Sequence, residues 1–111
     1  MNVLRAMVES SVTDAIAIEK RRVVDAAGKE SNFLEWLDGF YETWCGKSVG
    51  GMSSAAAANA KREHAAESRR QLLDVAGAST SSTLVENVQS TVATWDGRAE
   101  TLVLTLMEAV K

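Results

Sequence analysis

The C-terminal third of the chain carries one apolar stripe with helical spacing. From residue 84 onward its members stand three or four positions apart, the repeat that places side chains on one face of an α-helix. The stripe consists of Leu84, Val88, Val92, Trp95, Ala99, Leu102, Leu106 and Ala109. Because the register is kept across Gly97, the pattern predicts one uninterrupted long helix over residues 83–110.

Three further helices are predicted upstream. We expect them over residues 3–27, 32–45 and 54–76. The first carries an amphipathic stripe made of Leu4, Val8, Val12, Ala15, Ile16, Val23 and Ala27. Gly28 and Gly77 follow the first and third patterns, where a left-handed glycine often ends a helix. The spacing therefore predicts that these two glycines are helix stops.

Two helix starts carry the spacing of a capping box. Asn32 is followed three residues later by Glu35, and Thr83 is followed in the same way by Glu86. In such a pair the first side chain accepts a hydrogen bond from a main-chain N–H of the first helical turn. We therefore predict N-terminal caps at Asn32 and Thr83.

The composition allows one globular domain without strands. Proline is absent from the 111 residues, so no residue in these patterns forces a helix to break. Hydrophobic residues make up 46% and charged residues 24% of the chain, which is ordinary for a folded domain with a single core. We expect residues 1–111 to form an all-α, single-domain antiparallel bundle of about four helices with a long C-terminal helix.

The charge balance argues against direct binding of nucleic acid. The net charge is −3, whereas nucleic-acid-binding domains usually have a positive excess that neutralises phosphates.

Cys45 is the sole cysteine, which excludes an intramolecular disulfide and fits a reducing compartment. No apolar stretch reaches the length of a membrane span or a signal-peptide core. We expect a cytoplasmic protein that does not bind a membrane.

The residues that could carry out chemistry are few and poorly placed. His64 is the only histidine, and Lys61 occupies the position where a di-iron bundle needs a glutamate. Cys45 stands at the C-terminal end of the second predicted helix, where the helix dipole disfavours a thiolate. Gly46-Lys47-Ser48 lacks the earlier glycine of a phosphate-binding loop, because Tyr41 stands there. We therefore expect no catalytic residue, metal site, cofactor or small-molecule substrate, and predict that the chain is not an enzyme.

The second predicted helix contains most of the aromatic residues. Its main face is formed by Phe33, Leu37, Phe40 and Trp44. Trp36 and Tyr41 are displaced toward the edges of that face, where they either flank the core or anchor a partner. Arg69 and Arg70 form a basic pair between acidic residues and are either a solvated, self-neutralised surface or part of a contact. The candidate partner-binding residues are Trp36, Tyr41, Arg69 and Arg70.

Four groups of residues follow one another from residue 19 to the last predicted helix. They are Glu19-Lys20-Arg21-Arg22, then Phe33-Leu34-Glu35-Trp36-Leu37 leading into Phe40-Tyr41, then Ala65-Ala66-Glu67-Ser68-Arg69-Arg70, and Trp95. Their order resembles the helical C-terminal region of tailed-phage portal proteins over about three quarters of the chain. Portal proteins form rings at the capsid vertex through which DNA is packaged, and they are not enzymes. The resemblance implies a phage-encoded helical module that makes protein contacts.

Two functions follow as expectations. The first is a non-enzymatic protein-interaction module, related to a portal or head structural protein, that binds another protein or itself as a homo-oligomer. A portal ring needs a body much larger than 111 residues. The resemblance therefore implies either a separated segment or a short reading frame that reuses the helical module. In the second case the alternative function is a small phage inhibitor or regulator that occludes a host protein complex.

Overall fold

A computed structural model describes residues 3–29, 32–40 and 55–109. These residues form five helical segments and no strand. In chain order the segments are α1 (Val3–Lys29), α2 (Phe33–Asp38), α3 (Ala55–Ala78), α4 (Leu84–Ala93) and α5 (Trp95–Ala109). The predicted all-α class is confirmed. Because α4 and α5 together form the long C-terminal helix, the segments correspond to the four helices predicted.

The C-terminal helix lies at the centre of the bundle. Both α4 and α5 pack against α1 and α3, while the short α2 contacts α1 and α3. Near the start of α5, the Lys20 Nζ atom lies 3.0 Å from the Asp96 carboxylate. Along α5, Trp95 reaches Gln71 of α3, and Arg98 reaches the earlier residue His64. The two chain directions are therefore opposite, so α5 runs antiparallel to α3.

Except for Leu72 on α3, the largest buried apolar side chains belong to the apolar stripes predicted from the sequence. The largest fully buried side chains are Trp95, Ile16, Leu37, Leu72, Leu106, Val12, Val23 and Val88. They come from all five helical segments, so one core joins the whole bundle. Burying an aliphatic side chain of this kind stabilises the fold by about 1.5–3 kcal/mol before the loss of chain entropy is counted.

The C-terminal helix is bent at Thr94. The predicted long helix is present, but it is not uninterrupted, because Thr94 separates α4 from α5. The Thr94 N–H and hydroxyl both donate to the Thr91 carbonyl, at 3.1 and 2.7 Å, and such an additional hydroxyl bond bends a helix. Thr94 keeps right-handed dihedral angles (φ −78°, ψ −10°), so Val92 and Trp95 on either side both remain in the core.

Two predicted helix stops are wrong. α1 continues through Gly28 to Lys29, and α3 continues through Gly77 to Ala78. Neither glycine has the left-handed backbone of a helix stop, and a Cβ at Gly28 would lie 3.7 Å from the Val85 side chain. A helical glycine is only about 1 kcal/mol less favourable than alanine. Gly28 is therefore a helical residue of α1 that faces Val85 of α4.

The two predicted caps have different outcomes. Asn32 caps α2, since its Oδ1 accepts from the Glu35 N–H at 3.1 Å and its Nδ2 donates to the Glu35 carboxylate at 2.9 Å. The cap at Thr83 is wrong, because its side chain makes no capping bond to α4. The Thr83 hydroxyl instead accepts from the Thr80 N–H at 2.9 Å. The hydroxyl is therefore used within the turn that leads into α4. The predicted helical residues 41–45, 54 and 110 lie outside the described residues.

Candidate functional site

Trp36 belongs to an aromatic cluster that joins α2 to the core. Its ring stacks on Phe33 with a centroid distance of 5.7 Å and lies 6.0 Å from the ring of Phe40. The Phe40 ring in turn lies 6.1 Å from Trp95. Trp36 is half-buried and borders an open cavity of about 400 Å³. Trp36 therefore lies at the flank of the core, which was one of its two interpretations. Tyr41 lies outside the described residues.

The two candidate arginines are paired with carboxylates of the same chain. Arg69 extends from α3 to α2, where its Nη2 lies 3.5 Å from the Asp38 carboxylate. Arg70 bonds to Glu67 and, at 3.2 Å, to Asp74 along α3. The hydrogen bond from Arg70 lowers the pKa of the Glu67 carboxyl, which therefore stays ionised at neutral pH. This pairing matches the self-neutralised surface that was one of the two interpretations of the sequence.

Arg98, which the sequence did not single out, joins α5 to α3. Its guanidinium donates to the His64 carbonyl at 3.0 Å, the Ser68 hydroxyl at 2.7 Å and the Gln71 amide oxygen at 2.9 Å. Burial lowers the pKa of Arg98 from its ordinary value, but an arginine stays charged in proteins. The feature of the sequence that could have indicated this role of Arg98 is its position three residues after Trp95, at the border of the apolar stripe.

His64 is packed between helices and does not lie on an open surface. The residue is 8% exposed, and its ring meets Trp95 edge-on at 6.2 Å. Burial, and to a smaller degree the charge of Arg98, lowers the pKa of His64 to about 4. The ring is therefore neutral at neutral pH. So low a pKa also makes His64 a weak proton acceptor.

A well-defined groove lies between α1 and α5. We call it the α1–α5 groove, and its volume is about 520 Å³. Its lining residues are Arg5, Glu9, Thr13, Ile16, Ala17, Lys20, Asp96, Ala99, Glu100 and Val103. Ile16 and Val103 form an apolar floor and are 2% and 6% exposed. The short side chains of Thr13, Ala17 and Ala99 leave the space above that floor open.

Charged side chains form the rim of the α1–α5 groove. The Arg5 guanidinium lies 2.7 Å from the Glu9 carboxylate, and the Lys20 ammonium lies 3.0 Å from that of Asp96. The fifth rim charge, Glu100, forms no ion pair within residues 3–29, 32–40 and 55–109. With two cations and three anions, the rim has a net charge of −1.

The spacing of residues in the sequence did not predict this groove. On α1 the signal was present, since Arg5, Glu9, Thr13 and Ala17 follow one another at intervals of four beside the buried stripe. Its other wall lies on α5, about 80 residues away along the chain. Which helix faces this side of α1 depends on the packing of the bundle, and helical periodicity does not contain that information.

The described residues contain no cluster of three or more His, Cys, Asp or Glu side chains that could hold a metal ion. Among their helices, none combines the length and the apolar character needed to cross a membrane. Comparison with protein-family models, with curated proteins and with solved structures finds no match to this chain.

Proposed function

We propose that the chain is a non-enzymatic protein-interaction module and that the α1–α5 groove is its main contact surface. The observation that carries this proposal is the groove itself, with its buried apolar floor beneath a charged rim. Protein interfaces combine an apolar centre, which excludes water, with a polar border that sets orientation. The groove has both parts, and both come from well-packed helices.

Exposed apolar side chains beside the groove add to this surface. Leu104 is 49% exposed and stands four residues after Glu100, which places the two side chains on the same face of α5. A partner seated against the rim at Glu100 would therefore cover Leu104 as well. Removing that apolar surface from water would favour binding by about 25 cal/mol for each Å² covered.

The resemblance to tailed-phage portal proteins indicates a class of partner and a location for this module. On that basis the partner is a head protein of a phage, or a second copy of the chain, in the host cytoplasm or the virion. The second candidate is a small inhibitor or regulator that occludes a host complex. The excess of acidic groups on the groove rim favours this second candidate, because it suits a target with basic surface groups.

Affinity purification of the tagged chain from infected and uninfected cells tests the proposal. Three chains are compared: the wild type, Ala17→Trp, which fills the groove from an exposed position, and Ala66→Trp, which makes the same change at an exposed position of α3. We expect partner proteins with the wild type and with Ala66→Trp, and their loss with Ala17→Trp. Head or terminase proteins recovered only after infection would support the structural role.

One host complex recovered in both conditions would support the inhibitor instead. The proposal is rejected if the three chains recover the same proteins as an untagged control. Circular dichroism of both tryptophan variants establishes that any loss of binding is not a loss of folding.

A further inference from the structure

We infer that the α1–α5 groove binds one amphipathic α-helix of a partner protein and that a lysine or arginine of this helix pairs with Glu100. The inference rests on the proposed function and names the class of partner. It depends on three properties of the groove, which are its length, its lining and its charge.

The length of the groove fits a helix of about four turns. Its lining on α1 begins at Arg5 and ends at Lys20, with a residue on every turn between them. Fifteen steps along a helix correspond to about 22 Å, at 1.5 Å for each residue. The α5 wall, from Asp96 to Val103, covers about 10 Å, so a helix lying in the groove would follow α1 along its whole length and α5 along about half of it.

The lining of the groove excludes the other common forms of bound peptide. An extended strand needs a row of unpaired main-chain N–H and C=O groups, and helices such as α1 and α5 use theirs internally. A polyproline helix docks between aromatic side chains, and the lining of this groove contains none. A helix satisfies its own main chain and presents an apolar face, which the floor of Ile16 and Val103 can accept. The small Ala17 and Ala99 permit a close approach.

The charge of the rim determines where a cation of the partner belongs. Two of the three acidic groups already have partners, because Glu9 pairs with Arg5 and Asp96 pairs with Lys20. Glu100 stands between these pairs along the groove, one turn after Asp96 on α5. A partner helix with one lysine or arginine near its middle therefore completes the charge pairing of the rim. Leu104, exposed beside Glu100, receives the apolar residues that flank this cation.

The test selects binders from a display library of 16-residue helical peptides in which the positions of one face are randomised. The immobilised wild-type chain is the target, and each selected peptide is then titrated against four purified chains by fluorescence anisotropy. The chains are the wild type, Ala17→Trp, Ala66→Trp and Glu100→Lys. We expect selected peptides to carry an apolar stripe with one Lys or Arg. They should bind Ala66→Trp as they bind the wild type and lose about tenfold or more in affinity with Ala17→Trp.

Charge exchange tests the contact with Glu100. Glu100→Lys should weaken binding of the selected peptides about threefold to tenfold, and changing the cation of the peptide to Glu should restore it. The inference is overturned if no peptide is enriched, if the enriched peptides are acidic, or if Ala17→Trp leaves their binding unchanged. Light scattering of the wild type and of Ala17→Trp, each without peptide, tests whether a second copy of the chain occupies the groove. Self-association of the wild type that Ala17→Trp abolishes would overturn the choice of a foreign helix.

The two proposals fail in different ways. If cells yield a partner whose binding depends on Ala17 but the library yields no helix, protein interaction stands and the helical occupant is wrong. If the library yields a groove-binding helix but cells yield no partner, the groove can accept a helix and the proposed function is wrong.

Discussion

The guanidinium carbon of Arg98 lies 5.5 Å from the centre of the Trp95 ring, three residues before it on α5. The Trp95 indole N–H donates to the same Gln71 oxygen that accepts a bond from Arg98, at 3.0 and 2.9 Å. One charged side chain and one indole thus share an acceptor on α3. This arrangement connects two helices through polar groups at the edge of the apolar core.

Replacing Arg98 with lysine should destabilise the protein. A lysine ammonium cannot reproduce the planar fork that reaches Ser68, Gln71 and the His64 carbonyl together, so buried acceptors would lose their donors. We expect the free energy of unfolding to fall by about 2–3 kcal/mol in urea denaturation followed by circular dichroism. Arg70→Lys is the control, since Arg70 is exposed and should tolerate the change without a measurable effect. Equal losses in the two variants would contradict this role of Arg98.

His64 should make the stability of the protein depend on pH in the acidic range. Its pKa is about 4 in the folded protein and 6.5 without burial, so the unfolded state takes up a proton first as the pH falls. The contribution is complete above pH 6.5 and is lost as the pH falls toward 4. The corresponding loss between pH 7 and pH 4 is about 3 kcal/mol.

The variant His64→Gln isolates this effect from the titration of carboxyl groups. Its free energy of unfolding should fall less than that of the wild type between pH 7 and pH 4, because glutamine does not titrate. Urea denaturation of both proteins at several pH values measures the difference. Parallel curves for the two proteins would show that His64 has an ordinary pKa.

Gly97→Ala should stabilise the C-terminal helix. Gly97 lies within α5, and a Cβ added there would meet no atom within 4 Å. Because alanine is favoured over glycine in a helix, the free energy of unfolding should rise by about 0.5–1 kcal/mol, with a smaller gain for Gly97→Ser. Thermal denaturation measures both. A loss of stability with alanine would mean that the bend needs Gly97, against the assignment of the bend to Thr94.

Asn32→Ala should weaken the attachment of α2. The side chain of Asn32 bonds both to the main chain and to the carboxylate of Glu35, and alanine removes both bonds. We expect a loss of about 1 kcal/mol in the free energy of unfolding. Asn32→Ser retains an N-capping hydroxyl and should recover most of that loss. If both variants lose the same amount, the contact with the Glu35 carboxylate matters more than the cap.

The sequence predicted those parts of the fold that depend on short-range spacing. The helical repeat identified the buried faces of α1 and of the C-terminal helix, because a residue three or four positions away shares a face whatever the rest of the fold does. The cap at Asn32 was found for the same reason, since it lies three residues from its partner. The helix stop predicted at Gly28 was wrong, and Gly28 faces Val85 of another helix, a contact that short-range spacing does not contain.

Most of the candidate site could not be predicted in this way. Arg98 acquires its role from acceptors on α3, and the groove exists only where α1 meets α5. Both depend on which helices become neighbours, and several arrangements of the same stripes would bury them equally well. Trp36 and the two arginines were noticed for their residue types. The groove instead depends on alanines and a threonine, which attract no attention in a sequence.

The bend at Thr94 also limits where residues could be inserted into this chain. Inserting one residue there would rotate α5 by about 100° about its axis and turn Leu106 away from the core. Inserting a whole turn would restore the facing residues but move Arg98 about 5 Å along α3, beyond the reach of Ser68. Residues 80–83, in the turn between α3 and α4, are exposed, so the length of the chain can vary more freely there than at Thr94.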